Sequence, residues 1–215
     1  MMAQIRHREA TIEDSQQLAG VHTRSWQVAY RGQLPDAFLD GLDPRDRVAG
    51  WQLRLGQPGP AMTLVAVDDR SDRIVGFIVV GPSRDGYDHP SGNGPEHPAG
   101  DRQGDLGDDG AHRCPTGEVY AIYVDPPWWG RRIGAALLIA GMQRLRRHGF
   151  VAATLWVLGG NERSQRFYER HGWRRDGERR SERISEAHPG LGETGGIAVD
   201  EVRYAIRLAT PGGRS

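Results

Sequence analysis

Between Glu118 and Leu138 the chain changes its hydrophobic period within a few residues. Glu118 to Val124 reads as a strand, Asp125-Pro126-Pro127 as a break, and from about Gly130 to His148 the residues Ile133, Leu137, Leu138, Met142 and Leu145 recur on one side of a helix that Gly149 closes. A strand that hands over to a helix through a glycine-bearing turn makes a place for an anion. The first helical N–H groups have no partner within the helix, the helix dipole is positive at that end, and Gly130 and Gly134 let a pyrophosphate approach the backbone. Arg131 and Arg132 add guanidinium groups for charge-assisted contacts. A Rossmann fingerprint would need Gly-x-Gly-x-x-Gly after a first strand, whereas this turn lies in the second half of the chain, so dinucleotide binding is the weaker reading.

The remaining elements fall into order around this segment. Residues 4 to 9 are strand-like, and Thr11 caps a helix carrying Leu18, Val21, Trp26 and Val28, with Asp14 three residues after the cap. After a turn from Gly32 to Pro35 comes a second helix, about Arg45 to Leu55. Thr63 to Val67 and Ile74 to Val80 are β-branched runs joined by a polar turn, which predicts an antiparallel pair. Ala152 to Val157 is a strand, Asn161 to His171 a helix, Trp173 onward a strand, and Val202 to Leu208 the last strand. The order predicts an α/β fold, α+β in a stricter scheme, with a mixed sheet and helices on both faces. We expect one domain over residues 1 to 215, interrupted by a Gly-, Pro- and Asp-rich insertion at about 82 to 115 that is far longer than an ordinary connection.

Composition removes whole classes of function. Lys+Arg and Asp+Glu are 28 each, so no net field draws the chain to nucleic acid or an anionic membrane. Every basic residue is Arg, which excludes a phosphate loop ending in Gly-Lys-Ser/Thr and a Lys Schiff base. Cys114 is the one cysteine, so no intrachain disulfide can form, and a reducing cytoplasm is the expected location. No apolar run suits a signal peptide or a membrane span. The insertion holds Asp88, His89, His97, Asp101, Asp105, Asp108, Asp109, His112 and Cys114, but no His/Cys pair has a recognised ligand spacing, and no metal is expected.

The stretch around Gly130 resembles the acetyl-CoA-binding motif of the GNAT N-acetyltransferase superfamily, Arg/Gln-x-x-Gly-x-Gly/Ala. Gly134 keeps its last position, while Arg132 and Trp129 stand at the other two. Downstream, Asn161-Glu-Arg-Ser-Gln-Arg-Phe-Tyr-Glu-Arg-His-Gly-Trp173 is similar to the family's second signature, with Trp173 in place of its final Phe. Ser25-Trp26 and Ala29-Tyr30-Arg31-Gly32 resemble the first-helix region of one branch. The resemblance implies a mostly antiparallel sheet of about seven strands, with a central parallel pair splayed where the acyl-carrying arm lies.

By the same resemblance the arm bonds to the main chain of Ile122, Tyr123 and Val124. The phosphates lie on Gly130, Arg131, Arg132, Ile133, Gly134 and Ala135, and Asn161 and Ser164 reach the arm. Tyr168 matches the tyrosine that protonates the leaving thiolate. Asn161 serves equally as a helix cap, Ser164 as a surface serine, and Tyr168 as a packing ring beside Phe167.

An amine acceptor must lose a proton before it attacks a thioester, and Glu118 at the start of the motif strand is the chosen base, with a water relay as the alternative. Alternation puts Glu118, Tyr120 and Ile122 on one face. Trp26, Tyr30 and Arg31 are candidates for the acceptor pocket, against plain helix packing. The expected partners are acetyl-CoA and an amine, with a homodimer allowed. The rival class is a binding module that holds acyl-CoA without turnover; a nucleotide-binding regulator is a third, and Cys114 lacks an activating partner for covalent transfer.

Overall fold

The β-branched runs pair into a seven-stranded sheet with the order β1-β2-β3-β4-β5-β7-β6. Its strands are β1 (Ile5–Glu9), β2 (Met62–Asp68), β3 (Arg73–Pro82), β4 (Thr116–Val124), β5 (Ala152–Leu158), β6 (Arg174–Ile184) and β7 (Ile197–Arg207). Every neighbouring pair is antiparallel except β4 and β5, which run parallel. The helices are α1 (Ser15–Ala29), α2 (Asp36–Asp40), α3 (Pro44–Gly56), α4 (Ile133–Arg147) and α5 (Glu162–Arg170). The computed structural model describes residues 4–85, 115–184 and 197–208.

The two faces of the sheet bury separate cores. On β2, Leu64 and Ala66 join Val75, Ile78, Leu137, Leu138, Leu145 and Leu155 under α4 and α5, whereas Val65 and Val67 join Leu18, Val21, Trp51 and Phe77 under α1 and α3. A strand covered on both faces needs apolar residues at both parities, which is why β2 and β3 read as near-continuous hydrophobic runs. α4 lies unusually near the sheet. A Cβ on Gly117 would stand 2.7 Å from Leu145 Cδ2, and one on Gly141 2.6 Å from Ile78 Cδ1, so a side chain at either position would have to push a core methyl aside.

Local signals place the helices, with four differences from the sequence reading. The Thr11 N–H donates to Asp14 Oδ2 at 2.8 Å, but the helix it starts is a single 3-10 turn, Ile12–Asp14, that runs on into α1. Asp43 accepts from the Arg45 N–H at 2.8 Å with Pro44 in the first turn, so α3 starts one residue earlier than Arg45. α2, Asp36–Asp40, falls between the expected Gly32 to Pro35 turn and the second helix, where no element was expected, because so short a helix shows no period. The helix expected from Gly130 begins at Ile133, because Gly130 (φ 78°) and Arg132 (φ 60°) both occupy the left-handed region and cannot continue a right-handed helix.

The expected insertion also begins later than Pro82. β3 extends to Pro82, the Ser83 N–H bonds to the Thr116 carbonyl at 2.9 Å, and Asp85 accepts from the Trp156 indole at 2.8 Å. Residues 86 to 114, with the His, Asp and Cys114 side chains weighed as metal ligands, lie outside the described residues. Among the described residues no group of three or more His, Cys, Asp or Glu could hold a metal ion, and no helix is long and apolar enough to cross a membrane.

Candidate active site

The parallel pair at the centre of the sheet is only half formed. β4 and β5 are in register from Thr116 opposite Ala152 to Val119 opposite Leu155, and there the pairing stops. Beyond that point Trp156 to Leu158 stay with β7, and Ala121 to Val124 stay with β3. Tyr120 causes the parting. On β3, Val79 faces Ala121 and Val80 faces Val119, so Tyr120 is an extra residue, a bulge that bends β4 away from β5. The bulge also corrects the expected alternation. Tyr120 packs toward α1 and α3, but Ile122 packs with the core under α4, so Ile122 and Glu118 do not share a face.

Above the bulge β4 has a free edge. The Asp125 N–H bonds back to the Val75 carbonyl on β3 at 2.9 Å, so by alternation the N–H groups of Ile122 and Val124 turn toward the gap left by β5. The Val124 carbonyl is already taken, by Ser25 Oγ at 3.1 Å and by the Trp129 indole N–H at 2.6 Å. Arg24 grips Asp125 with two bonds, 2.9 and 2.8 Å, which fastens α1 to the end of the strand. The turn that follows brings the first N–H groups of α4, those of Ile133, Gly134 and Ala135, to the same opening. A Cβ on Gly134 would lie 3.6 Å from Phe167 and 3.7 Å from Val124, so this glycine keeps the space between α4 and α5 clear.

α5 forms the second wall. Asn161 caps it, accepting from the Ser164 N–H at 3.1 Å, and Gln165 ties it to the end of β5 through the Leu158 and Gly159 carbonyls at 3.0 and 2.8 Å. From this helix Tyr168 enters the gap, 7% exposed, beside Phe167, Trp173 and Tyr204. Burial pushes its phenol well above the ordinary tyrosine value, and the nearby Tyr123 phenol raises it further. Tyr123 in turn meets Tyr30 hydroxyl to hydroxyl at 3.1 Å, and Trp26 stands edge-on to Tyr30 at 5.1 Å. The structure thus brings together Tyr168, Tyr123, Tyr30 and Trp26. Arg31 is turned aside, paired with Asp36 at 3.2 Å and Asp40 at 2.7 Å on α2.

Glu118 sits below the parting, opposite Thr154, and is 1% exposed. Its carboxylate accepts from the Arg84 backbone N–H at 2.9 Å and from Arg84 Nε at 3.1 Å. Sequence reasoning missed that partner, since Arg84 fell inside the presumed insertion. It also missed an open groove of about 780 Å³ beside the tyrosines, between the Gly32-Gln33 turn, the end of β5 and the facing parts of β6 and β7. Glu201 on its wall is bonded by Arg180 at 2.7 Å, and burial pushes its carboxyl upward. The adjacent acidic pair Asp200-Glu201 was the signal available for it.

The profile of the acetyltransferase (GNAT) family matches residues 23–173, more than half of the chain. The chain belongs to the GNAT acetyltransferase family. A named N-acetyltransferase of uncharacterised role, YuaI of Bacillus subtilis strain 168, is 28% identical over 157 residues, 72% of each chain. A mycothiol acetyltransferase of Propionibacterium freudenreichii is 48% identical over 59 residues, which is 27% of this chain and 19% of that one. Among solved structures, the PaiA N-acetyltransferase of Thermoplasma acidophilum in complex with coenzyme A superposes with a TM-score of 0.60 at 17% identity, covering 95% of this chain and 99% of that one. A GCN5-related N-acetyltransferase of Rhodopseudomonas palustris gives 0.63 at 16%, covering 97% and 99%. The GNAT fold and enzyme class expected from the two motifs are therefore borne out, and the sheet has the seven strands and single parallel pair that the resemblance implied.

Proposed function

We propose that this GNAT enzyme moves the acetyl group of acetyl-CoA onto a primary amine by direct attack, without a covalent enzyme intermediate. The observation that carries the reading is the parting of β4 and β5 above Val119 and Leu155, with the Tyr168 phenol inside it. The residues present fit such a donor. The Ile122 and Val124 edge suits an amide-bearing arm, the start of α4 with Arg131 and Arg132 suits phosphates, and Gly134 leaves the passage between them open. Acetyl-CoA supplies an activated thioester carbonyl; this chain's residues align it, exclude water and manage two protons.

The first proton leaves the acceptor. Both oxygens of Glu118 already accept bonds from Arg84, so the amine proton reaches this carboxylate by way of water. The second proton goes to the departing thiolate. A phenol whose ionisation is suppressed by burial remains protonated across the neutral range, which suits Tyr168 as general acid. Trp26, Tyr30 and the groove beside Glu201 receive the acceptor. With its lone cysteine and no disulfide to form, the chain suits a reducing cytoplasm.

Initial-rate kinetics over a panel of amines test the reading. Intersecting double-reciprocal lines and an acetylated amine are expected. Parallel lines would indicate an acetyl-enzyme, and tight CoA binding with no transfer to any amine would return the chain to the class of binding modules.

A further inference from the structure

The α5 wall carries a cation that the family motif does not call for. The guanidinium carbon of Arg163, in the first turn of α5, lies 3.7 Å from the centroid of the Trp129 indole. The two side chains come from opposite sides of the cleft, Trp129 from the turn before α4 and Arg163 from the helix after β5. Trp129 is fixed independently by its indole N–H on the Val124 carbonyl at 2.6 Å, so the platform does not depend on the arginine it carries. At this distance the guanidinium rests on the face of the ring, where cation–π attraction holds the charge without occupying its N–H edge.

The charges around it are consistent with an anion site. Many arginines of the chain are neutralised, among them Arg24 by Asp125, Arg84 by Glu118 and Arg203 by Asp85 and Asp176. Arg131, Arg132 and Arg163 form no ion pair among the described residues, and all three are exposed. Arg131 is held over Trp128 at 4.7 Å, so two successive indoles of the turn each carry a guanidinium, one from their own wall and one from the wall opposite.

We propose that Arg163, oriented by Trp129, is a binding residue for the phosphates of the CoA donor, gripping from the α5 side what the start of α4 holds from the other. Trp129 stands where the motif pattern has Arg or Gln; here it acts as a positioning residue, and the charge comes from a different helix. The proposal rests on the donor site described above. The chemistry it requires is a phosphate, which the donor offers both in its diphosphate and at the 3′ position.

Calorimetric titration of the full chain with CoA and with 3′-dephospho-CoA separates these cases. Arg163→Ala is expected to weaken CoA binding about tenfold, as loss of an exposed charge-assisted contact should, with the ligand-free melting temperature unchanged and a shallower dependence of Kd on salt. Trp129→Leu should reproduce most of that loss, Trp129→Phe less of it, and the Arg163→Ala/Trp129→Leu pair should lose no more than the larger single effect. An Arg163 effect that persists with dephospho-CoA assigns it to the diphosphate; one that vanishes assigns it to the 3′-phosphate. Equal Kd for wild type and Arg163→Ala with both ligands overturns the proposal while leaving the donor site standing. Failure of the wild type to bind CoA overturns both.

Discussion

The first four residues of β4, Thr116 to Val119, and its last five, Tyr120 to Val124, belong to one strand but have different neighbours. From Thr116 to Val119 the strand is paired on both sides and packed under α4, closely enough that a Cβ on Gly117 would have to push a Leu145 methyl aside. From Tyr120 to Val124 it is paired on one side only. The lower half commits its backbone groups to the sheet and contributes stability; the upper half leaves an edge of N–H groups that the sheet does not pair, which under the proposed function the donor completes. One extra residue, Tyr120, separates the two.

Substitutions should therefore fail in different ways on either side of the bulge. The largest effect is expected from Tyr168→Phe in the open half, a fall in kcat of about a hundredfold, with the melting temperature and the Kd for CoA little changed. A parallel loss of stability would make Tyr168 a packing residue and erase the distinction. In the closed half, Gly117→Ala drives a methyl toward Leu145 and should cost about 1–3 kcal/mol in urea unfolding, while the folded enzyme keeps its kcat. A drop in kcat larger than the drop in stability would show that strain crosses the bulge.

The smallest effect is a pH dependence. Burial raises the phenol pKa of Tyr30, Tyr123 and Tyr168, whereas an unfolded tyrosine titrates near about 10. The folded state thus holds these protons more tightly. Their stabilising contribution is complete below about pH 10 and is lost as pH rises through the folded values. The urea midpoint should fall above that pH, less steeply in Tyr168→Phe than in wild type.

The elements with a clear period were legible in the sequence. β2 and β3 announced themselves by β-branched runs, α4 by its apolar face, and α5 by Asn161 and the Phe167-Tyr168 pair. Tyr168 was read as the candidate acid and Tyr30 as a candidate lining of the acceptor pocket; the structure buries Tyr168 and sets the Tyr30 hydroxyl against that of Tyr123. The bulge was not legible, because an argument from period two cannot see a residue that breaks the period, and Ile122 was put on the wrong face for that reason. Arg84 was lost because polar composition alone does not separate a loop from the ordered residues that anchor it. The start of α4 was misplaced by three residues because Arg132, unlike Gly130, gives no sign that it takes a positive φ. The Arg163–Trp129 stack joins residues far apart in sequence, which no local pattern connects.

The central claim is that β4 above Tyr120 is a vacant backbone edge that the donor completes. Amide hydrogen exchange resolved by residue, with and without saturating CoA, tests it most directly. The account predicts that CoA slows exchange at Ile122 and Val124 and leaves Glu118 and Val119, already paired, unchanged. Equal protection of all four residues without CoA, or no change at Ile122 and Val124 with it, would contradict the account.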